Sequence, residues 1–236
     1  MEKNVPVSAV ERALDILNAF QPGEPCVSLH ELSVRTGLYK STLLRQLGTL
    51  IQYHCVTRLA NGQYQLGACV LNWAHVYTSS LNLDQHVPPA LDGLVAATGE
   101  GASFFIRDGD MRVCLYRSDS HRELRDHVRQ GELLPLEKGA AGRVLLKYAK
   151  IDAATPPPEV FFSMGEREAE IAALAAPVFN SEGLKGAVAL SGPATRFHEE
   201  NVARWKPLLL ETARSLSLTL GGPQYYAHVP SARESA

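Results

Sequence analysis

The stretch "SLHELSVRTGLYKSTLLRQLGTL" at residues 28–50 constrains the chain more than any other. It opens on Ser-x-x-Glu, the form of a capping box, in which serine and glutamate satisfy each other's backbone donors. The short helix that follows is expected to run to about Arg35. Gly37 is suited to be the left-handed residue that ends it. A second helix should span about Lys40 to Ile51. Its apolar stripe is Leu43, Leu44, Leu47, Leu50 and Ile51, with Ser41, Thr42, Arg45, Gln46 and Thr49 mainly on the other side. Two short helices hinged on one glycine are the layout of a helix-turn-helix.

The flanks agree. "SAVE" at 8–11 has the form of another capping box, with Ser8 as the cap and Glu11 three residues on. Val10, Ala13, Leu14, Leu17 and Phe20 recur at helical spacing opposite Glu11, Arg12, Asp15 and Asn18, and "QPGEP" at 21–25 ends that helix. "VTRLANGQYQL" at 56–66 carries Asn61-Gly62, a pair favoured in type I′ turns, and predicts a β-hairpin. Three helices and a hairpin make residues 1–66 a winged helix-turn-helix. From Gly67 to about Leu83, Val70, Trp73, Ala74, Tyr77 and Leu81 step by three and four, which predicts a further helix and a domain boundary near Leu83.

Beyond the boundary the pattern is mixed. "DQHVPPALDGLVAATG" at 84–99 predicts a helix with Pro88 and Pro89 in its first turn. "GASFFIRDGDMRVCLYRS" at 101–118 predicts two strands around an Asp-Gly turn. "GAAGRVLLKYA" at 139–149 reads as helix and "TPPP" at 155–158 as loop. "IAALAAPVF" and "LKGAVALSG" read as strands joined through "NSEG". A C-terminal helix is expected from about His198 to Leu220, bent near Pro207 and closed by Gly221. Helices mixed with hairpin-connected strands imply an α+β domain over residues 84–222. Residues 223–236 carry little core material and read as a disordered tail.

Composition bounds the function. The formal charge of the 236 residues is -2, so any nucleic-acid site must be a local patch. Residues 1–66 are only weakly basic: Lys3, Arg12, Arg35, Lys40, Arg45 and Arg58 stand against Glu2, Glu11, Asp15, Glu24 and Glu31. Pairing two copies would raise the affinity that one copy lacks. Cys26, Cys55, Cys69 and Cys114 form no metal-ligand spacing and are expected as reduced thiols, with no cofactor. The longest apolar run is too short for a bilayer span, and no signal peptide is evident, so a cytoplasmic protein without membrane partners is expected.

The N-terminal end of a recognition helix meets base edges and phosphates in the major groove. Lys40 supplies charge there, and Ser41 and Thr42 supply small donors beside a helix N-terminus that itself favours phosphate. Arg45 can reach guanine and Gln46 adenine. Arg35 and the wing residue Arg58 suit phosphate contacts. The competing reading makes Ser41-Thr42 no more than an N-cap pair.

With these motifs in hand, the chain resembles the IclR family of bacterial transcriptional regulators. The resemblance rests on "SAVERALDIL", "LHELSVRTGLYKSTLLRQLGTL" and "GQYQLG", covering nearly all of residues 8–83. "GELLPLEKGAAGRVLLKYA" and "AAPVFNSEGLKGAVALSGP" extend it. It implies a winged DNA-binding domain, a linker helix over 67–83 and a GAF-like effector-binding domain over 84–222. It also implies a homodimer or homotetramer on double-stranded operator DNA, responding to a small carboxylate or aromatic catabolite, more often as a repressor. Val70, Trp73 and Tyr77 are the expected dimerisation stripe, since such an apolar patch is unfavourable in a monomer. Alternatively, the stripe packs on the chain's own effector domain.

Carried over residue by residue, the resemblance places Ala140 and Ala141 at the effector pocket wall, where small residues would let backbone N–H groups approach a ligand carboxylate. Cys114, Ala173, Ser191 and Glu166 are further lining candidates. Each has a plainer reading: Cys114 as a small hydrophobe, Ser191 as part of a turn, Glu166 as a helix cap. "HRELRDHVRQGE" at 121–132 reads either as a cationic cluster at the pocket mouth or as a solvated edge with balanced charges. One departure stands out. The family has several more helical turns where this chain has only "KIDAATPPPEVFFSMG", which opens the alternative of a DNA-binding oligomer without effector response. An enzyme using Cys114 with His121 or His127 has no supporting motif, so the expectation is no enzyme.

Overall fold

The computed structural model describes residues 7–21, 23–80, 83–150 and 156–226. Its contacts divide the chain into two units, Met1–Asn82 and Leu83–Ala236.

The first unit packs α1 (Ser8–Asn18), α2 (Leu29–Thr36) and α3 (Lys40–Gln52) around Ile16, Leu32, Leu43, Leu47 and Leu50. The capping box at Ser28 forms. Glu31 N–H donates to Ser28 Oγ at 3.2 Å, and Ser28 N–H donates to Glu31 Oε2 at 2.8 Å. Gly37 ends α2 at φ 69°. The expected box at Ser8 does not form. α1 starts one residue earlier than that reading needs, with Val7 as its cap and no side-chain cap bond. In α1 the buried residue is Ile16, while Val10 and Leu14 are exposed. The hairpin pairs β1 (Val56–Arg58) with β2 (Tyr64–Leu66) in antiparallel register. Its turn is not the type I′ expected from Asn61-Gly62. Only Gly62 has positive φ, and a three-residue loop is closed by Leu59 N–H to Gln63 O at 2.8 Å. α4 (Cys69–Ser80) follows; Leu81 of the predicted stripe lies outside the described residues.

The second unit is built on a six-stranded antiparallel sheet. β3 (Gly101–Asp108), β4 (Met111–Ser118), β5 (Leu133–Pro135), β6 (Phe161–Met164), β7 (Ile171–Asn180) and β8 (Gly183–Pro193) lie in the order β5-β4-β3-β8-β7-β6. The long strands are nearly all apolar and buried because helices cover the sheet. α5 (Val87–Thr98) and α7 (Glu199–Thr219) pack together against it, and α6 (Gly139–Lys147) lies over β6, β7 and β8. α7 contains Pro207.

Two corrections concern this unit. Residues 156–158 of "TPPP" have no regular structure, as expected, but the edge strand β6 that follows them was not expected; residues 151–155 lie outside the described set. The tail does not begin at residue 223. Pro223–Tyr226 forms a 3₁₀ turn, and Tyr226 is buried with its hydroxyl donating to Pro177 O at 2.6 Å. The rest of the predicted tail, 227–236, lies outside the described residues.

Candidate functional site

α3 presents the first candidate surface. Its N-cap is Tyr39, and no side chain caps it, so Ser41 and Thr42 are not an N-cap pair. No acidic residue occupies its first turn, which leaves the partial positive charge of the helix N-terminus unopposed. Lys40, Ser41 and Arg45 are exposed; Thr42 and Gln46 are half-buried. Arg58 is exposed on β1, its guanidinium carbon 5.9 Å from the Tyr64 ring centre.

Two placements differ from expectation. Arg35 is held inside its own unit, with Nη1 donating to Ala19 O at 2.9 Å and Nη2 paired with Glu24. That fastens α2 to the end of α1 and removes Arg35 from the free cations of the surface. Leu44, expected in the core stripe, is 50% exposed beside Arg45. Tyr39, which the sequence reading passed over, is 84% exposed at the start of the recognition helix. Its only signal was position, an aromatic placed where the chain turns into a helix.

The second candidate is a cavity under α6. Phe105, Arg112, Asp126, Ser163, Glu166 and Arg167 line it together with Ala140, Ala141, Ala173, Ala189 and Ser191. It is small, about 40 Å³ measured at the centres of water-sized occupants, which suits a few waters or a group of that size. Five of the expected residues, Ala140, Ala141, Glu166, Ala173 and Ser191, therefore line one cavity. Cys114 does not: it lies opposite Phe105 in the sheet, wholly buried, and burial pushes its thiol up to about 11.

The helix N-terminus is not open to a ligand as expected. Ala140 N–H donates to Ser163 Oγ at 2.9 Å, and Gly139 N–H donates to Glu166 Oε2 at 3.0 Å. Glu166 also pairs with Arg143. The carboxylate that favours the start of α6 is thus already part of the chain, brought there by the end of β6. "HRELRDHVRQGE" is neither a plain cationic cluster nor a wholly solvated edge. Asp126 and Val128 turn inward to the cavity, and Asp126 pairs with Arg167.

That pairing leaves Arg112. It is 3% exposed; Asp126 is close enough to act on its charge, but the acceptors of its hydrogen bonds are backbone carbonyls and not a carboxylate. Nη1 donates to Pro135 O and Lys138 O, and the guanidinium lies 5.4 Å from the Phe105 ring centre. Nε has no hydrogen-bond partner. Burial, with Arg167 nearby, lowers the guanidinium to about 10. The "GAAG" motif makes room for it. A Cβ on Gly142 would sit 3.2 Å from Nη1 and 2.0 Å from Leu136 O; one on Gly139 would sit 3.6 Å from Nη2.

Comparison with known proteins joins the two surfaces. The family model "IclR helix-turn-helix domain" matches residues 9–59. The model "Bacterial transcriptional regulator IclR C-terminal" matches residues 75–155 and 160–218. The chain is an IclR-family transcriptional regulator. It is 24% identical to the HTH-type transcriptional regulator KipR of Bacillus subtilis over 241 residues, covering 89% of this chain and 94% of KipR. It is 25% identical to XynR of Escherichia coli over 248 residues, covering 92% and 98%. Its fold is similar to that of the Thermotoga maritima IclR, with TM-score 0.73 and 20% identity over 90% of this chain and 98% of that one. It is also similar to an IclR homolog complexed with 4-hydroxybenzoate from Microbacterium hydrocarbonoxydans, with TM-score 0.75 and 18% identity over 90% and 99%.

The family is one of transcriptional regulators, with a DNA-binding helix-turn-helix and an effector-binding C-terminal domain, and not of enzymes. The break in the C-terminal match falls in the Pro-rich segment before β6. No helix among the described residues is long and apolar enough to cross a membrane.

Proposed function

We propose that this IclR-family regulator is a repressor released from its operator by a small carboxylate seated under α6 with its charge on Arg112. The observation that carries this reading is the buried Nε of Arg112, a charge-bearing donor without a partner on a cavity wall. A buried cation is stabilised by an anion that also completes its hydrogen bonds, and arginine takes a carboxylate through two donors. The size of the cavity favours a short acid over an aromatic one. The 4-hydroxybenzoate of the Microbacterium structure makes benzoates the natural comparison. The same observation supports an effector response over a C-terminal domain that only assembles the oligomer.

In this reading Lys40, Ser41, Thr42, Arg45 and Gln46 meet the major groove, and Arg58 on the wing meets phosphate. Two copies pair through α4, where Trp73, Val76 and Tyr77 are exposed on one short helix and Val70 is half-buried. The protein works in the cytoplasm, where its operator is.

The test is retention of DNA from upstream of the protein's own gene, against excess unrelated DNA and at two salt concentrations. Short aliphatic acids and benzoates are then added. Specific, salt-sensitive binding released by a short acid is expected. Arg112→Gln should keep operator binding and lose release. Release of the Arg112→Gln protein at the same acid concentration would overturn the assignment of the site.

A further inference from the structure

Cys55 and Cys69 belong to neither candidate site. Their Sγ atoms are 3.0 Å apart, closer than two unbonded sulfurs ordinarily pack, while a disulfide needs about 2.05 Å. The main chain sets this approach. Gly67 N–H donates to Cys55 O at 2.8 Å, and Cys69 N–H donates to His54 O at 3.2 Å. A Cβ on Gly67 would lie 2.1 Å from His54 O, so only glycine lets the two segments come this close. His54 itself takes φ 57°, the one non-glycine residue with positive φ among the described residues. A strained corner after α3 thus faces the chain where it enters α4.

The two thiols differ in environment. Cys69 is the first residue of α4 and is partly exposed. That exposure lets a small oxidant reach Cys69 first. Cys55 is buried, and burial pushes its thiol up to about 11.

We propose that Cys55 and Cys69 are a peroxide-oxidisable dithiol that closes to a disulfide within one chain, tying the foot of the recognition helix to the first turn of α4. The Cys69 thiolate attacks one oxygen of hydrogen peroxide. The O–O bond breaks, and the departing hydroxide takes up the thiol's proton as water. Cys69 is left as a sulfenic acid. Cys55 sulfur attacks Cys69 sulfur, the S–O bond breaks, and the hydroxide leaves as a second water with the Cys55 proton. Two thiols are oxidised by two electrons in all, and one peroxide is reduced. At rest both remain thiols, as a reducing cytoplasm requires; disulfides there are transient and signalling.

The test uses the full-length protein, reduced and then freed of reductant. It is treated with hydrogen peroxide, alkylated in denaturant and mapped by peptide mass. Two of the four thiols should disappear into a Cys55–Cys69 linked peptide, and dithiothreitol should restore both. Cys69→Ser, a change at a partly exposed helix start, should lose no pair of thiols. Cys69 carried to sulfinic acid with Cys55 still alkylated would overturn the proposal. So would a link through Cys26 or Cys114, a link between chains, no thiol loss, or undiminished pair loss in Cys69→Ser.

Discussion

Three arginines of similar appearance in the sequence have three different tasks. Arg35 closes the first unit on Ala19 and Glu24, Arg45 faces outward from α3, and Arg112 lies inside the second unit. Arg45→Ala is expected to cost about 1–3 kcal/mol of operator binding with no change in melting temperature. Arg35→Ala should instead lower the melting temperature. Binding titrations and thermal melts on the same two proteins separate the roles. These tasks were unequally legible. Arg45 follows from helical periodicity alone. Arg112 sits in "DMRVCLYRS", where alternation places arginines toward solvent as readily as inward. Only the closure of α6 over the sheet buries it, and that closure is a long-range event. Cys114 was misplaced for the same reason, since a strand pattern names a face but not what covers it.

At the scale of elements, the cap of α2 has a measurable weight. Ser28→Ala removes the side-chain bond to Glu31 N–H and should cost about 1 kcal/mol of stability, read by denaturant titration. The Glu31 carboxyl, accepting from Ser28, is held below its ordinary 4.5. A depressed carboxylate contributes stability above its unfolded value and loses it as pH falls through the lower folded value. Glu31→Gln, which removes that carboxylate, should therefore narrow its gap from the wild type as pH drops below 4.5. Gly67→Ala has a stronger consequence, because its Cβ would meet the backbone of His54 rather than a movable side chain. The DNA-binding unit of that variant is expected to unfold well below the wild-type temperature, while the second unit keeps its own transition. α2 was legible because cap and periodicity agree locally, whereas α1 and α3 were legible from periodicity without a side-chain cap. β5 and β6 were not, since three or four residues at a sheet edge are too short to show a period.

For the whole molecule, the proposed pairing through α4 bears on affinity. The N-terminal unit is only weakly basic, so a single copy on DNA has few phosphate contacts to draw on. Trp73 is 53% exposed on α4. Trp73→Glu should shift the protein toward monomer in sedimentation and weaken operator binding far more than it weakens folding. An unchanged sedimentation profile would remove α4 from the interface.

The unpartnered Nε of Arg112 also bears on how long each molecule lasts. A domain that holds a buried donor without a hydrogen-bond partner opens more readily than one in which the donor is met. Proteolysis in the cell follows the population of such open forms. An acid that binds only the closed form lowers that population by the factor 1 + [L]/Kd. Scarcity of the acid would then do more than leave the regulator on its operator: it would shorten the regulator's lifetime. The pool of regulator would rise and fall with the metabolite it senses.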